Sequence, residues 1–213
     1  MRRGGRVLLI ALPLAVVLAG RVAAWVASAP TGDAARADLE RKAADAVARF
    51  REVAAAAEDA ARRTLATGPE AARPGLTPEM ARRFEGAGVV RGGSYESWDG
   101  TPGEPSWAPR GPTGSWAIVR RGVRTSLLAR APEAADGRYA IASFALEVAS
   151  GGTEASPALP ALCRGGTIRW TFPAAADEPA TAPVFEAGPP ARLAQPVLDP
   201  RGDVAAVVTV EQV

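Results

Sequence analysis

DAARADLERKAADAVARFREVAAAAEDAARRTLAT, residues 33–67, is the stretch that decides the fold. Leu39, Ala43, Ala46, Phe50, Val53, Ala57, Ala60 and Thr64 recur at 4,3 spacing, which puts them on one stripe of an α-helix. Asp33 suits the N-cap, and Gly68-Pro69 supplies the stop. At 1.5 Å per residue such a helix is about 52 Å long. Half of the stripe is Ala, so it admits two readings. It is either the seam of a membrane-proximal dimerisation or signalling helix, or the buried side of an amphipathic helix lying on its own domain. Seven basic and seven acidic residues cancel along it, so charge does not separate the two.

On the N-terminal side, residues 7–29 read VLLIALPLAVVLAGRVAAWVASA and are apolar except for Arg21. About 20 apolar residues suffice to cross a bilayer as a helix, and Arg21 lies off centre, where it can snorkel. A cleaved signal peptide competes with this reading, because residues 1–6 are a basic n-region. Its cleavage sites are poor: one puts Pro30 just after the cut and the other leaves Trp25 as the new terminus. The expectation is therefore an uncleaved membrane helix. Arg2, Arg3 and Arg6 precede the run and no basic residue lies between Arg21 and Arg36, so the positive-inside rule keeps residues 1–6 cytoplasmic. That predicts a single-pass protein of the inner membrane with everything after residue 29 translocated.

On the C-terminal side, 68–78 is a loop rich in Pro and Gly. A short helix over 78–85 follows, with Thr77 as its cap and Pro78 at its first position. The period then changes from helical to strand-like near Val89. Strands are predicted over 88–95, 115–120, 123–131, 138–148, 167–172, 191–198 and 204–210. Turn signals stand at Arg120-Arg121-Gly122, Asp136-Gly137 and Asp199-Pro200-Arg201-Gly202. Short connections imply antiparallel neighbours in one sheet, with VAAVVTV of 204–210, apolar on both faces, at its centre. The expected fold class is thus α+β: an N-terminal transmembrane helix, a long α-helix, then an antiparallel sheet of five or more strands.

Composition excludes more than it assigns. The chain has 213 residues, a net charge of +2 and no His. Without His there is no imidazole base, no His metal ligand and no Ser-His-Asp or Cys-His arrangement. Cys163 stands alone, so an internal disulfide and a Cys-based zinc site are excluded. Scattered Arg residues and a small net charge give no nucleic-acid footprint. Gly92-Gly93-Ser94 and Gly151-Gly152-Thr153 lack the Lys and helix start of a phosphate loop, and Asp99, Glu104 and Glu96 lack the spacing of a calcium loop. No catalytic residue, cofactor or metal is expected. Arg201-Gly202-Asp203 reads as an ordinary turn between two strands.

This order of elements resembles the extracytoplasmic PAS-like (Cache-type) sensor regions of bacterial transmembrane receptors, especially sensor histidine kinases. The matching phrases are Gly88-Val89-Val90 with Ser97-Trp98-Asp99-Gly100, the hairpin centred on Arg120-Arg121-Gly122, the strand GRYAIASFALEV of 137–148, and the closing hairpin of 196–210. The resemblance implies a PAS-like domain over 76–213 that senses a small molecule and signals through 33–67, with a homodimer formed through that helix. A complete receptor continues through a second membrane helix into an output module. Residues 1–213 would then be the N-terminal part of such a receptor or a stand-alone sensor.

Residues expected near the sheet face of such a domain are the candidate site: Trp98 and Trp107 in the loop 97–114, and Trp116, Arg124, Arg130 and Tyr139 on strands. Arg124, Ser126, Leu128 and Arg130 share one face by alternation. Arg suits a carboxylate ligand, with aromatic rings closing the pocket. The alternative function is an anchored periplasmic structural or interaction protein that takes no small molecule.

Overall fold

The computed structural model describes residues 32–109, 115–121, 124–148, 167–173, 179–188 and 190–212. Residues 1–29, including the expected basic tail and membrane helix, and Cys163 lie outside the described residues. The chain divides into two compact units, Met1–Asp38 and Leu39–Val213. The second unit holds both sheets and the core that joins them.

Helix α1 runs over Gly32–Thr67. From Leu39 onward its stripe is buried in the second unit: Leu39, Phe50, Ala57 and Ala60 have no exposed surface, nor does Thr64, whose hydroxyl donates to the Ala60 carbonyl at 2.8 Å. The 4,3 stripe therefore faces its own domain, and the charges lie on the other side. Gly68 ends the helix at φ +105°, and a 3-10 turn, Pro69–Ala72, folds back on it. Arg63 of α1 holds that turn by donating to the carbonyls of Ala71 and Ala72 at 3.3 and 3.2 Å. Helix α2, Pro78–Arg83, follows with the Thr77 hydroxyl accepting from the Met80 amide.

Nine strands form two antiparallel sheets among the described residues. Strands β1 (Phe84–Arg91), β2 (Ser94–Gly100), β3 (Ser115–Arg121), β4 (Arg124–Arg130) and β5 (Arg138–Val148) make a five-stranded sheet in the order β2-β1-β5-β4-β3. Strands β6 (Thr167–Thr171), β7 (Val184–Glu186), β8 (Arg192–Leu198) and β9 (Val204–Glu211) make a four-stranded sheet in the order β6-β9-β8-β7. One apolar core takes side chains from α1 and from one face of each sheet, with Phe144 and Leu127 from the first and Leu193, Val197 and Val208 from the second. Phe50 joins the three. Its ring centroid lies 5.4 Å from Trp116 of β3 at an edge-on angle and 5.4 Å from Trp170 of β6, which it stacks on.

These observations correct the expected fold. The strands over 167–210 build a second sheet instead of completing the first, so the domain is mostly β. The reason is geometric. From Leu39 to Thr64 the apolar stripe is about 38 Å long. It packs in one core with residues of both sheets, so the second sheet covers stripe surface beside the first. Strand β9 is central as expected, but only Ala206, Val208 and Val210 on its inner face are buried.

The expected single-pass placement in the inner membrane is corrected as well. Among the described residues no helix is long and apolar enough to cross a membrane, and the long helix they contain is amphipathic.

Smaller departures have local causes. The strand expected over 88–95 is two strands, because Gly92 and Gly93 at φ +58° and +83° make the tight turn that joins β1 to β2. Strand β7 lies between the strands expected over 167–172 and 191–198, where no strand is predicted. At Asp199 the carboxylate accepts from the amides of Arg201 and Asp203 at 2.8 and 3.0 Å, so Arg201-Gly202-Asp203 is bound up in a turn.

Replacing Phe50 by Ala should cost about 3–5 kcal/mol, since a fully buried ring is lost between two others. Urea unfolding of the purified chain measures this, and Phe50→Leu should lose markedly less. A loss below about 1 kcal/mol would show that the two sheets do not depend on this contact.

Candidate functional site

The face of the five-stranded sheet away from α1 has a small apolar cluster of its own. Val90, Leu128 and Ile141 are buried there together with Ala108, and Tyr95, Trp107, Val119 and Tyr139 pack around them. The segment 101–109 lies over this face. Its close approach depends on glycines in β1. A Cβ on Gly86 would run into the backbone of Asp99, Thr101 and Pro102, and one on Gly88 would sit 2.6 Å from Tyr95 Cε1. Gly103 reaches down to Leu128, and the Tyr95 hydroxyl donates to its carbonyl at 2.9 Å.

A bulge brings two aromatic rings together here. Val89 pairs with Ser97 and Val90 with Tyr95, which leaves Glu96 as an extra residue in β2. Regular alternation would send Tyr95 and Trp98, three apart, to opposite faces. With the extra residue both stand on the outer face, ring centroids 6.2 Å apart. Tyr95 and Trp98 with Gly100, Thr101, Pro102, Gly103 and Glu104 line an open pocket of about 420 Å³. Burial, helped by the neighbouring Tyr139, raises the Tyr95 phenol well above its ordinary pKa. It therefore stays a neutral donor. Trp98 is 62% exposed.

The six residues expected at the site divide. Trp98 is on the pocket rim. Trp107, Arg130 and Tyr139 are on the same sheet face but serve to hold its covering. Arg130 is buried, with its guanidinium 4.0 Å over the Tyr139 ring, donating to the Pro109 carbonyl at 3.1 Å and to Glu133 at 2.9 Å. Its Nε, like Ser115 Oγ on the paired residue of β3, finds no hydrogen-bond partner. Trp116 is on the opposite face against Phe50, and Arg124 is exposed at the start of β4. Tyr95, Pro102 and Glu104 were not anticipated. The signal that marks them is the run of glycines at 86, 88, 100 and 103, which lets backbone lie on backbone.

The arrangement offers two aromatic rings, one carboxylate and no cationic side chain in the pocket lining. It has the chemistry of a binding pocket. Among the described residues, no group of three His, Cys, Asp or Glu could hold a metal ion.

An alkaline titration followed at 295 nm should show one of the two tyrosines ionising above the ordinary range near 10. The sign follows from a raised folded pKa. Above pH of about 10 the unfolded chain loses the proton and the folded one keeps it, so stability is full below that pH and falls as pH rises. Tyr95→Phe should remove this component of the fall. Gly86→Ala should destabilise by about 1–3 kcal/mol, whereas Trp98→Ala should stay within about 0.5 kcal/mol.

No family model matches the chain, and the comparison with curated proteins and with solved structures finds no similar protein.

Proposed function

We propose that Leu39–Val213 is a small-molecule sensor domain of the PAS-like type, serving signal transduction and carrying no catalysis. The observation that carries this reading is the pocket over β2, where a bulge and a run of glycines bring Tyr95, Trp98 and the 100–104 backbone around one open space. The strand order β2-β1-β5-β4-β3, with a helix on one face and the 101–109 segment on the other, supports the resemblance to PAS-like domains. Fold analogy alone does not assign a ligand.

The pocket is also connected to the long helix. Asp99, next to lining residue Gly100, faces Arg73 at 3.5 Å, and Arg73 lies over the Phe84 ring at 5.1 Å. Arg73 closes the 3-10 turn that Arg63 of α1 holds. A ligand that shifts the 99–104 backbone thus bears on α1 through the side chains of Asp99, Arg73 and Arg63.

A second reading, an interaction domain without a small-molecule ligand, draws on the outer face of the four-stranded sheet. Val184 and Leu198 are each 42% exposed there, beside Ala194 and Val207.

A thermal-shift screen of the full chain against amino acids, carboxylates, amines and nucleobases separates the two. A ligand at 100 times its Kd adds about 2.7 kcal/mol. Stabilisation by one chemical class, lost in Trp98→Ala, is the expected result. No stabilisation by any class in a folded chain would favour the interaction domain. With a ligand in hand, Arg73→Ala should leave its affinity within about threefold while abolishing the ligand-induced change in amide exchange at the end of α1.

A further inference from the structure

Resting on the sensor reading, we infer that the pocket over β2 takes a methylated ammonium ion. The charge of the lining is the first reason. None of its seven residues is cationic, and Glu104 is anionic. The neighbouring arginines are committed elsewhere. Arg73 faces Asp99 and the Phe84 ring. Arg91 pairs with Glu96 at 3.0 Å and with Asp136 at 3.5 Å. Arg130 is engaged by Glu133, Pro109 and Tyr139. Among the described residues, a carboxylate or phosphate ligand would meet no cationic side chain in this lining, which reverses the ligand chemistry expected from the arginines of β4.

Ring geometry is the second reason. The Tyr95 hydroxyl is spent on the Gly103 carbonyl, so what this residue offers the pocket is its ring. Trp98 stands beside it, tilted by 50°, with most of its surface open. Indole and phenol rings have negative faces that attract a cation within about 6 Å of the centroid. Glu104 supplies a full negative charge on the same rim. A primary ammonium needs three acceptors to replace its water, and the pocket has one carboxylate. A quaternary, fully N-methylated ammonium has no N–H and needs none, and its methyl groups suit rings and Pro102. The volume of about 420 Å³ lies in the range of small-molecule sites.

The test is calorimetric titration of the full chain with choline and with 3,3-dimethylbutan-1-ol, which has the same shape and no charge. Choline should bind, and the neutral alcohol should bind at least about tenfold more weakly. Glu104→Gln should weaken choline by about threefold to tenfold, and Trp98→Ala by more than tenfold. Both residues are exposed, and an unchanged melting temperature of each variant verifies that the fold is kept.

Equal binding of the two probes, lost in Trp98→Ala, would overturn the ammonium assignment and leave the sensor pocket standing. So would an absence of choline binding alongside a Trp98-dependent thermal shift from a neutral or anionic compound. Choline binding untouched by both substitutions would place it elsewhere and overturn the assignment. If neither choline nor any screened compound acts on the folded chain, the sensor reading falls with it.

Discussion

The ring of Phe50, held between Trp116 and Trp170, is the contact on which the domain depends. It is one of two large side chains on a stripe otherwise made mostly of Ala, and it meets one edge strand from each sheet. Ala elsewhere on the stripe lets both sheets come close to the helix axis, and the packed rings fix where they meet. Stacked and edge-on aromatic pairs contribute about 0.5–1.5 kcal/mol each beyond the area they bury. Arg120 adds a polar tie at the same seam by donating to the Phe172 carbonyl at 3.0 Å.

Once α1 occupies the inner face, the outer face of the five-stranded sheet is released from core duty. Strand β5 shows the division. Ala140, Ala142, Phe144 and Leu146 pack into the main core, while Tyr139 and Ile141 join the cluster on the far side. Ser143, also on that side, is buried and donates to Glu85 at 2.6 Å. Glu85 is the extra residue of a second bulge, opposite β5. The outer face is therefore shaped by irregularities in β1 and β2, and a regular strand pair would have left it flat.

Much of this was legible in the chain. The helix over 33–67 has a strong period and clear end signals, and the strands over 138–148 and 204–210 alternate or run apolar for long enough to be unmistakable. Periodicity says that a segment is a strand but not which strand it pairs with, so the split into two sheets was hidden. The Trp residues look alike in sequence, yet Trp116 is core, Trp107 holds a loop and Trp98 is open to solvent. Only pairing register separates them. Gly86 and Gly88 stand just past the helix expected over 78–85. Their use is close backbone approach within β1, which depends on a loop more than ten residues further along.

Electrostatics at the site follow the same rule. Arg130 looked like a ligand-binding cation because alternation put it on the correct face. It is on that face, but with the Tyr139 ring, the Glu133 carboxylate and the Pro109 carbonyl around it, its charge is used to hold the covering segment down. A buried guanidinium without such partners would be costly. An exposed carboxylate such as Glu104 carries no comparable penalty, and neither does an exposed ring, so these residues keep their chemistry for something outside the fold. The distinction between side chains consumed by the structure and side chains left over from it is what locates the pocket over β2.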